Sequence, residues 1–100
     1  MLRGTTPTVV MTLPEDIDLS GATVAYLSFG QNGSDVFDLP IDRLTLVDNV
    51  CTATLTQAET LQLQSGTKTQ IQLRWKDGST AYGTNIVKVL TNAILKEGQI

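Results

Sequence analysis

Residues 67–89 read TKTQIQLRWKDGSTAYGTNIVKV, and this stretch decides the fold. Two alternating rows run through its first half: an inward row of Thr69, Ile71, Leu73 and Trp75, and a polar row of Gln70, Gln72, Arg74 and Lys76. A period of two places the rows on opposite faces of a β-strand, so the segment predicts a half-buried strand. Trp75 has the largest apolar side chain in the sequence, and we therefore expect the core to form around it.

A turn signal follows this strand. Asp77-Gly78-Ser79 is typical of a tight hairpin turn, because glycine tolerates positive φ angles. The β-branched run from Thr80 to Val89 then predicts a return strand, with Gly83 marking a bulge or a close approach of another backbone. The two segments together predict a β-hairpin.

Shorter strand-like runs fill the first half of the chain. The pattern of apolar and turn-forming residues predicts strands at 8–13, 22–29, 36–39, 44–47 and 50–55. Asn32-Gly33 and Asp48-Asn49 predict hairpin turns between neighbouring strands. Pro40 ends the third of these strands and favours a sheet edge, because proline cannot donate to a β-ladder.

The sequence from Thr56 to Glu59 has the pattern of a capping box. The Thr56 hydroxyl can accept from the Glu59 amide while the Glu59 carboxylate accepts from the Thr56 amide. This pattern predicts one short helical turn near residues 57–63. We expect Leu61 and Leu63 to cover one end of the core.

These elements define the predicted fold class. About seven short strands in 100 residues are typical of an all-β, immunoglobulin-like antiparallel β-sandwich, here a single domain over residues 1–100. A content of 41% hydrophobic and 17% charged residues agrees with a globular chain. Cys51 is the only cysteine, so no intramolecular disulfide can form, and its place in an alternating strand predicts a buried thiol.

Composition also weighs against several functional classes. The net charge of −3 argues against nucleic acid as a partner. Without histidine the chain lacks the usual catalytic base and zinc ligand, and Asp16 and Asp18 lack the glycine and distal glutamate of a calcium loop. We therefore expect no enzymatic activity, no metal and no cofactor. The sequence has no apolar run of the kind that predicts a signal peptide or membrane insertion, and this favours synthesis in the cytoplasm.

Six residues are candidates for an interaction surface. The basic residues project from the polar rows of the predicted hairpin, and the apolar residues lie in the tail; the set is Arg74, Lys76, Lys88, Ile94, Leu95 and Ile100. A solvated sheet surface would carry the same basic residues. The tail, residues 91–100, is either a frayed terminus or a docking segment. Residues 1–50 carry −5 and residues 51–100 carry +2, an asymmetry that also allows self-association.

Three segments carry a resemblance to a known family: Met1–Thr8, Leu55–Leu61 and Gln70–Gly78. They resemble small structural proteins of phages and prophages of Gram-positive bacteria, and they are similar to the N-terminal sandwich domain of baseplate upper proteins. The resemblance implies a non-enzymatic tail or baseplate component that contacts itself or other phage tail proteins. It also implies a protein present in the bacterial cytoplasm during assembly and then in the virion.

A second function remains compatible with the sequence. An immunoglobulin-like module can act alone and recognise a carbohydrate or a host protein through its loops. Carbohydrate sites usually present exposed aromatic side chains, and only five aromatic residues occur in this chain. The structural role is therefore the preferred hypothesis.

Overall fold

The computed structural model describes all residues from Met1 to Ile100 and is mostly β. Its eight strands are β1 (Thr8–Thr12), β2 (Val24–Gln31), β3 (Ser34–Pro40), β4 (Thr45–Val47), β5 (Val50–Thr54), β6 (Lys68–Asp77), β7 (Thr80–Gly83) and β8 (Val87–Leu90). A 3-10 turn covers Ile41–Arg43, and the helix α1 covers Gln57–Leu61. The α-helix is the only one, and no helix has the length and apolar character that crossing a membrane requires.

The strands form two antiparallel sheets that pack together as a sandwich-like fold. One sheet has three strands in the order β1-β5-β4. The other has the order β3-β2-β6-β7, and β8 also pairs with β6. Because β6 is bonded to β2 along one edge and to β7 and β8 along the other, it is the central strand of the larger sheet.

The alternation predicted for β6 is confirmed. The inward row of β6 is buried, and Trp75 is only 6% exposed. On the neighbouring strand β2, Leu27 and Phe29 lie opposite Leu73 and Ile71 of this row, and both are completely buried. From the smaller sheet, Cys51 and the other inward residues of β5 close the core, as their alternation predicts.

The predicted hairpin turns are confirmed, with differences in strand length. Asn32 and Gly33 both have positive φ angles, 55° and 77°, which is the geometry of a two-residue hairpin turn and lets pairing continue to Gln31 and Ser34. The return strand predicted at 80–89 is divided into β7 and β8. Gly83 ends β7 but makes no close approach, because an added Cβ would lie 3.5 Å from the nearest atom.

The capping box of α1 is confirmed in both directions. The Glu59 amide donates to Thr56 Oγ1 at 3.1 Å, and the Thr56 amide donates to Glu59 Oε1 at 2.8 Å. The helix is shorter than predicted and ends at Leu61. Leu63 is 1% exposed, whereas Leu61 is only half-buried, so Leu63 alone is fully covered.

The tail is attached to the rest of the chain rather than frayed. Thr91 is buried and hydrogen bonded to Thr69, and Asn92 forms a parallel bridge with Leu2. Arg3 donates to the carbonyl oxygens of residues 61 and 63 and forms a 2.8 Å ion pair with Glu97. The tail therefore lies against both the N-terminal segment and α1.

Candidate interaction surface

The outward side of the five-stranded sheet carries a basic stripe beside an apolar one. Arg74 and Lys76 are exposed on β6, directly opposite Tyr26 and Val24 of β2. Tyr26 is 48% exposed and Val24 is 44% exposed. Directly opposite residues of an antiparallel pair share one face, so these four side chains form a continuous surface.

The third predicted basic residue lies apart from this surface. Lys88 is on β8 opposite Gln70, four residues from Arg74 along β6, which corresponds to roughly 13 Å along the strand. Lys88 borders a separate depression together with Lys68 and Asn32. The structure therefore brings Arg74 and Lys76 together and leaves Lys88 elsewhere on the sheet.

A bulge in β3 adds two carboxylates to the outward side. Phe37 pairs with Phe29 and Asp35 pairs with Gly30, so Val36 has no opposite residue. Residues three apart in a regular strand face opposite sides, but the extra residue turns Asp35 to the same side as Asp38.

Gly30 makes this bulge possible. A Cβ built on Gly30 would lie 2.6 Å from the carbonyl oxygen of Ser34, a distance that side-chain carbons essentially never show. The backbone of β3 can approach β2 this closely only because residue 30 has no side chain.

The two carboxylates interact with each other and with β2. A hydrogen bond between the Asp35 and Asp38 side chains raises the pKa of Asp35, and desolvation and the negative charge of Asp38 act in the same direction. Asp38 also accepts a hydrogen bond from the Ser28 hydroxyl. Asp35 therefore loses its proton at a higher pH than an isolated aspartate.

None of the four charged residues on this surface has an ion-pair partner in the chain. The two salt bridges of the protein are Arg3 with Glu97 and Arg43 with Glu59. Both acids and both bases line one open groove of about 480 Å³. We call this surface the acid–base face and define it by Asp35, Asp38, Val24, Tyr26, Arg74 and Lys76.

The three apolar tail residues differ in exposure. Ile94 is half-buried, and its Cδ1 atom lies 2.7 Å from the position that a Cβ atom on Gly4 would occupy. Leu95 and Ile100 are 106% and 95% exposed. The Ile100 amide nevertheless donates to Gln57 Oε1 at 3.0 Å, which holds the backbone near α1. Of the three, only Leu95 and Ile100 are fully exposed to solvent.

Other reactive or ionisable groups are engaged locally. Burial raises the pKa of the Cys51 thiol to about 11, so the reactive thiolate is scarce near neutral pH. The Asp18 carboxylate accepts from the Ser20 hydroxyl and amide, and these bonds lower its pKa. No group of three or more Cys, Asp or Glu side chains has a metal-binding arrangement.

Searches against protein-family models, curated proteins and solved structures found no match to this chain.

Proposed function

We propose that this protein is a non-enzymatic structural component of a phage or prophage particle that acts in tail or baseplate assembly through protein–protein contacts. The acid–base face carries the proposal. It presents an exposed tyrosine and an arginine, which are enriched in protein interfaces, together with charges of both signs that the chain itself leaves unpaired. A partner protein can satisfy these charges and cover Tyr26.

The strand order supports the immunoglobulin-like part of the proposal. If β1, β5 and β4 correspond to strands B, E and D, then β3, β2, β6 and β7 correspond to C′, C, F and G. Both sheet orders then agree with an immunoglobulin-like sandwich that lacks strand A. Because this architecture hosts many functions, it supports the proposed scaffold and no particular activity.

Two of the three segments that resemble phage structural proteins, Met1–Thr8 and Leu55–Leu61, lie against each other in the fold. The Thr60 hydroxyl donates to the Thr5 carbonyl oxygen at 2.9 Å, and the Leu55 amide donates to the Pro7 carbonyl oxygen at 2.9 Å. The N-terminal segment and the capped helix therefore form one packed unit. This packing gives the first two resembling segments a common structural role, which is consistent with a shared architecture.

The tail offers a second contact for a larger tail protein. Leu95 and Ile100 are exposed on a segment that hydrogen bonds and an ion pair attach to the domain. Apolar side chains on an already ordered segment lose less conformational entropy when a partner binds. We propose that these two side chains contact a neighbouring protein of the particle, while Ile94 contributes to folding.

The test is the protein composition of purified particles. Particles released by induction of the prophage that encodes this chain are purified on a density gradient and analysed by quantitative mass spectrometry. We expect the chain at a fixed ratio to the major tail protein. A chain that is abundant in the lysate but absent from the particles would overturn the proposal.

A variant series connects particle incorporation to the surface. Leu95→Ser with Ile100→Ser should reduce incorporation without changing the melting temperature, since both side chains are solvent-exposed. Lys96→Ser with Gln99→Ser is the matched control, because both residues lie in the same exposed segment. Equal loss in both variants would show that the apolar side chains have no specific role.

Tyr26 supports the alternative of a binding module for carbohydrate. The ring is 48% exposed and lies in the same groove as Asp35 and Asp38, so a sugar could stack on tyrosine and donate to the carboxylates. This site is on a sheet rather than on loops. Saturable binding on a glycan array that Tyr26→Ala abolishes would favour the alternative, and we expect no such binding.

A further inference from the structure

We propose that the acid–base face binds the same face of a second copy of this chain in a two-fold symmetric dimer. The inference rests on the proposed function, because it names a partner for the surface that carries that function. Its basis is the order of three stripes across the sheet: acidic on β3, apolar on β2 and basic on β6.

The spacing of the strands explains why the charges remain unpaired within one chain. Neighbouring strands lie about 4.8 Å apart, so β2 separates the acidic and basic stripes by roughly 10 Å. The register adds an offset of two residues, roughly 7 Å, between Arg74 and Asp38 along the strands, and the chain has no ion pair between these stripes. A partner can therefore supply the opposite charges.

A two-fold axis parallel to the sheet and oblique to β2 places opposite charges over each other. The register puts Arg74 and Lys76 level with Tyr26 and Val24, and Asp38 and Asp35 level with Ser28 and Gly30, so this axis crosses β2 between Tyr26 and Ser28. Rotation about it brings the basic pair of one copy over the acidic pair of the other, and each contact occurs twice, as an isologous interface requires. The Tyr26 side chains of the two copies meet near the axis.

The paired carboxylates favour a cationic occupant. The bulge brings Asp35 and Asp38 to the same side of β3, close enough that Asp38 raises the pKa of Asp35, so the two carboxylates repel each other when both are ionised. The planar guanidinium of Arg74 from a second copy can donate to both carboxylates and relieve this repulsion. Nucleic acid is disfavoured, because the same two carboxylates would repel its phosphates.

The size of the face predicts a weak dimer. Eight residues of β2 span about 26 Å, and four strands span about 19 Å, which gives roughly 500 Å² of projected area. A standard interface buries about 800 Å² per partner, so we expect weak association, with the dimer populated only in the upper part of the micromolar range.

The experiment is sedimentation equilibrium of the full chain from 10 to 500 μM, which brackets that expected range. We compare R74E/K76E, D35K/D38K and an equimolar mixture of these two variants. Each variant alone places like charges over each other and should dimerise at least about tenfold more weakly than the parent. The mixture restores opposite charges at both stripes and should recover dimerisation as a heterodimer.

A matched control separates the face from overall charge. K68E/K88E changes the net charge by the same amount as R74E/K76E and lies on the same sheet, outside the acid–base face. It should leave dimerisation within about twofold of the parent. D35N/D38N preserves side-chain shape and removes both negative charges, so it keeps the test valid if the lysine variant fails to fold.

Several results would overturn the inference. These are a parent that stays monomeric at 500 μM, equal effects of K68E/K88E and R74E/K76E, and a mixture that stays monomeric although both variants are folded. Dimerisation that Leu95→Ser with Ile100→Ser abolishes, while the charge variants do not, would also overturn it. A monomer found in particles contradicts only this inference, whereas a dimer absent from particles contradicts only the proposed function.

Discussion

Tyr82 stacks on Trp75 across the β6–β7 hairpin, with ring centroids 5.3 Å apart and ring planes inclined by 17°. The two residues are directly opposite in the strand register. Trp75 is 6% exposed while Tyr82 is 48% exposed, so the tyrosine covers the outer edge of the buried indole. The aromatic contacts of Trp75 therefore extend onto β7, a strand whose residues are all exposed.

Trp75→Ala should unfold much of the protein population. Removing a buried tryptophan costs about 3 to 5 kcal/mol, which is a large share of the roughly 5 to 15 kcal/mol stability of a typical domain. Urea unfolding followed by circular dichroism measures the loss. Tyr82→Ala should cost about 0.5 to 1.5 kcal/mol, as expected for an aromatic pair at an edge. Equal losses in the two variants would mean that Trp75 is not the centre of the core.

Thr56→Ala should destabilise the protein by about 0.5 to 2 kcal/mol, because the Glu59 amide loses its acceptor at the start of α1. The change should appear as a lower denaturant midpoint with an unchanged slope. Thr45→Ala, at an exposed strand position, is the control and should change the free energy of unfolding by less than about 0.5 kcal/mol. An unchanged midpoint for Thr56→Ala would contradict the capping role.

Glu59 should make stability depend on pH in the acid range. Burial opposes ionisation of Glu59, but hydrogen bonds from Arg43 and from the Thr56 amide outweigh it and hold the pKa below its ordinary value of 4.5. A lowered pKa stabilises the fold above the unfolded-state value, and this contribution is lost as the pH falls through the folded-state value.

Glu59→Gln isolates this contribution, since glutamine keeps the capping hydrogen bond and removes the charge. We expect the parent to be the more stable protein at pH 6 and the difference to shrink steadily below pH 4.5. Melting temperatures of both proteins from pH 6 to pH 2.5 measure it. A difference that does not change with pH would show that ionised Glu59 contributes nothing.

Gly30→Ala should disturb the bulge in β3. The added methyl group would lie 2.6 Å from the Ser34 carbonyl oxygen, so the strands must separate, at a cost of about 1 to 3 kcal/mol. Gly83→Ala is the matched control, because its nearest atom is 3.5 Å away in the same sheet. The control should stay within about 0.5 kcal/mol of the parent. Two equal effects would indicate a general cost of replacing strand glycines.

Much of the fold follows from local sequence signals. The period of two in β6, the Asn32-Gly33 turn and the Thr56–Glu59 capping box are each set by residues close in the chain, and all three are confirmed. The division of the predicted return strand is different. It depends on how residues 84–86 meet β6, where the Leu73 amide donates to the Thr84 hydroxyl.

The acidic half of the acid–base face could not be predicted from the same signals. Asp35 and Asp38 have a spacing that alternation assigns to opposite faces, and only the contact between Gly30 and Ser34 reverses this assignment. For Lys88 the prediction was too inclusive. Its outward position predicts a common surface with Arg74, but the register of β8 on β6 places the two residues far apart along the strand. The attachment of the tail likewise depends on Arg3, at the other end of the chain.

The burial of Cys51 makes the protein suited to site-specific labelling. Cys51 is the only thiol, is 1% exposed and is largely protonated near neutral pH, so maleimide dyes should not react with the folded parent protein. A cysteine introduced at any exposed position would then carry the dye alone, without prior removal of the natural thiol. The rate at which Cys51 itself reacts would report how often the three-stranded sheet opens, since reagent reaches the sulfur only when β5 separates from its neighbours.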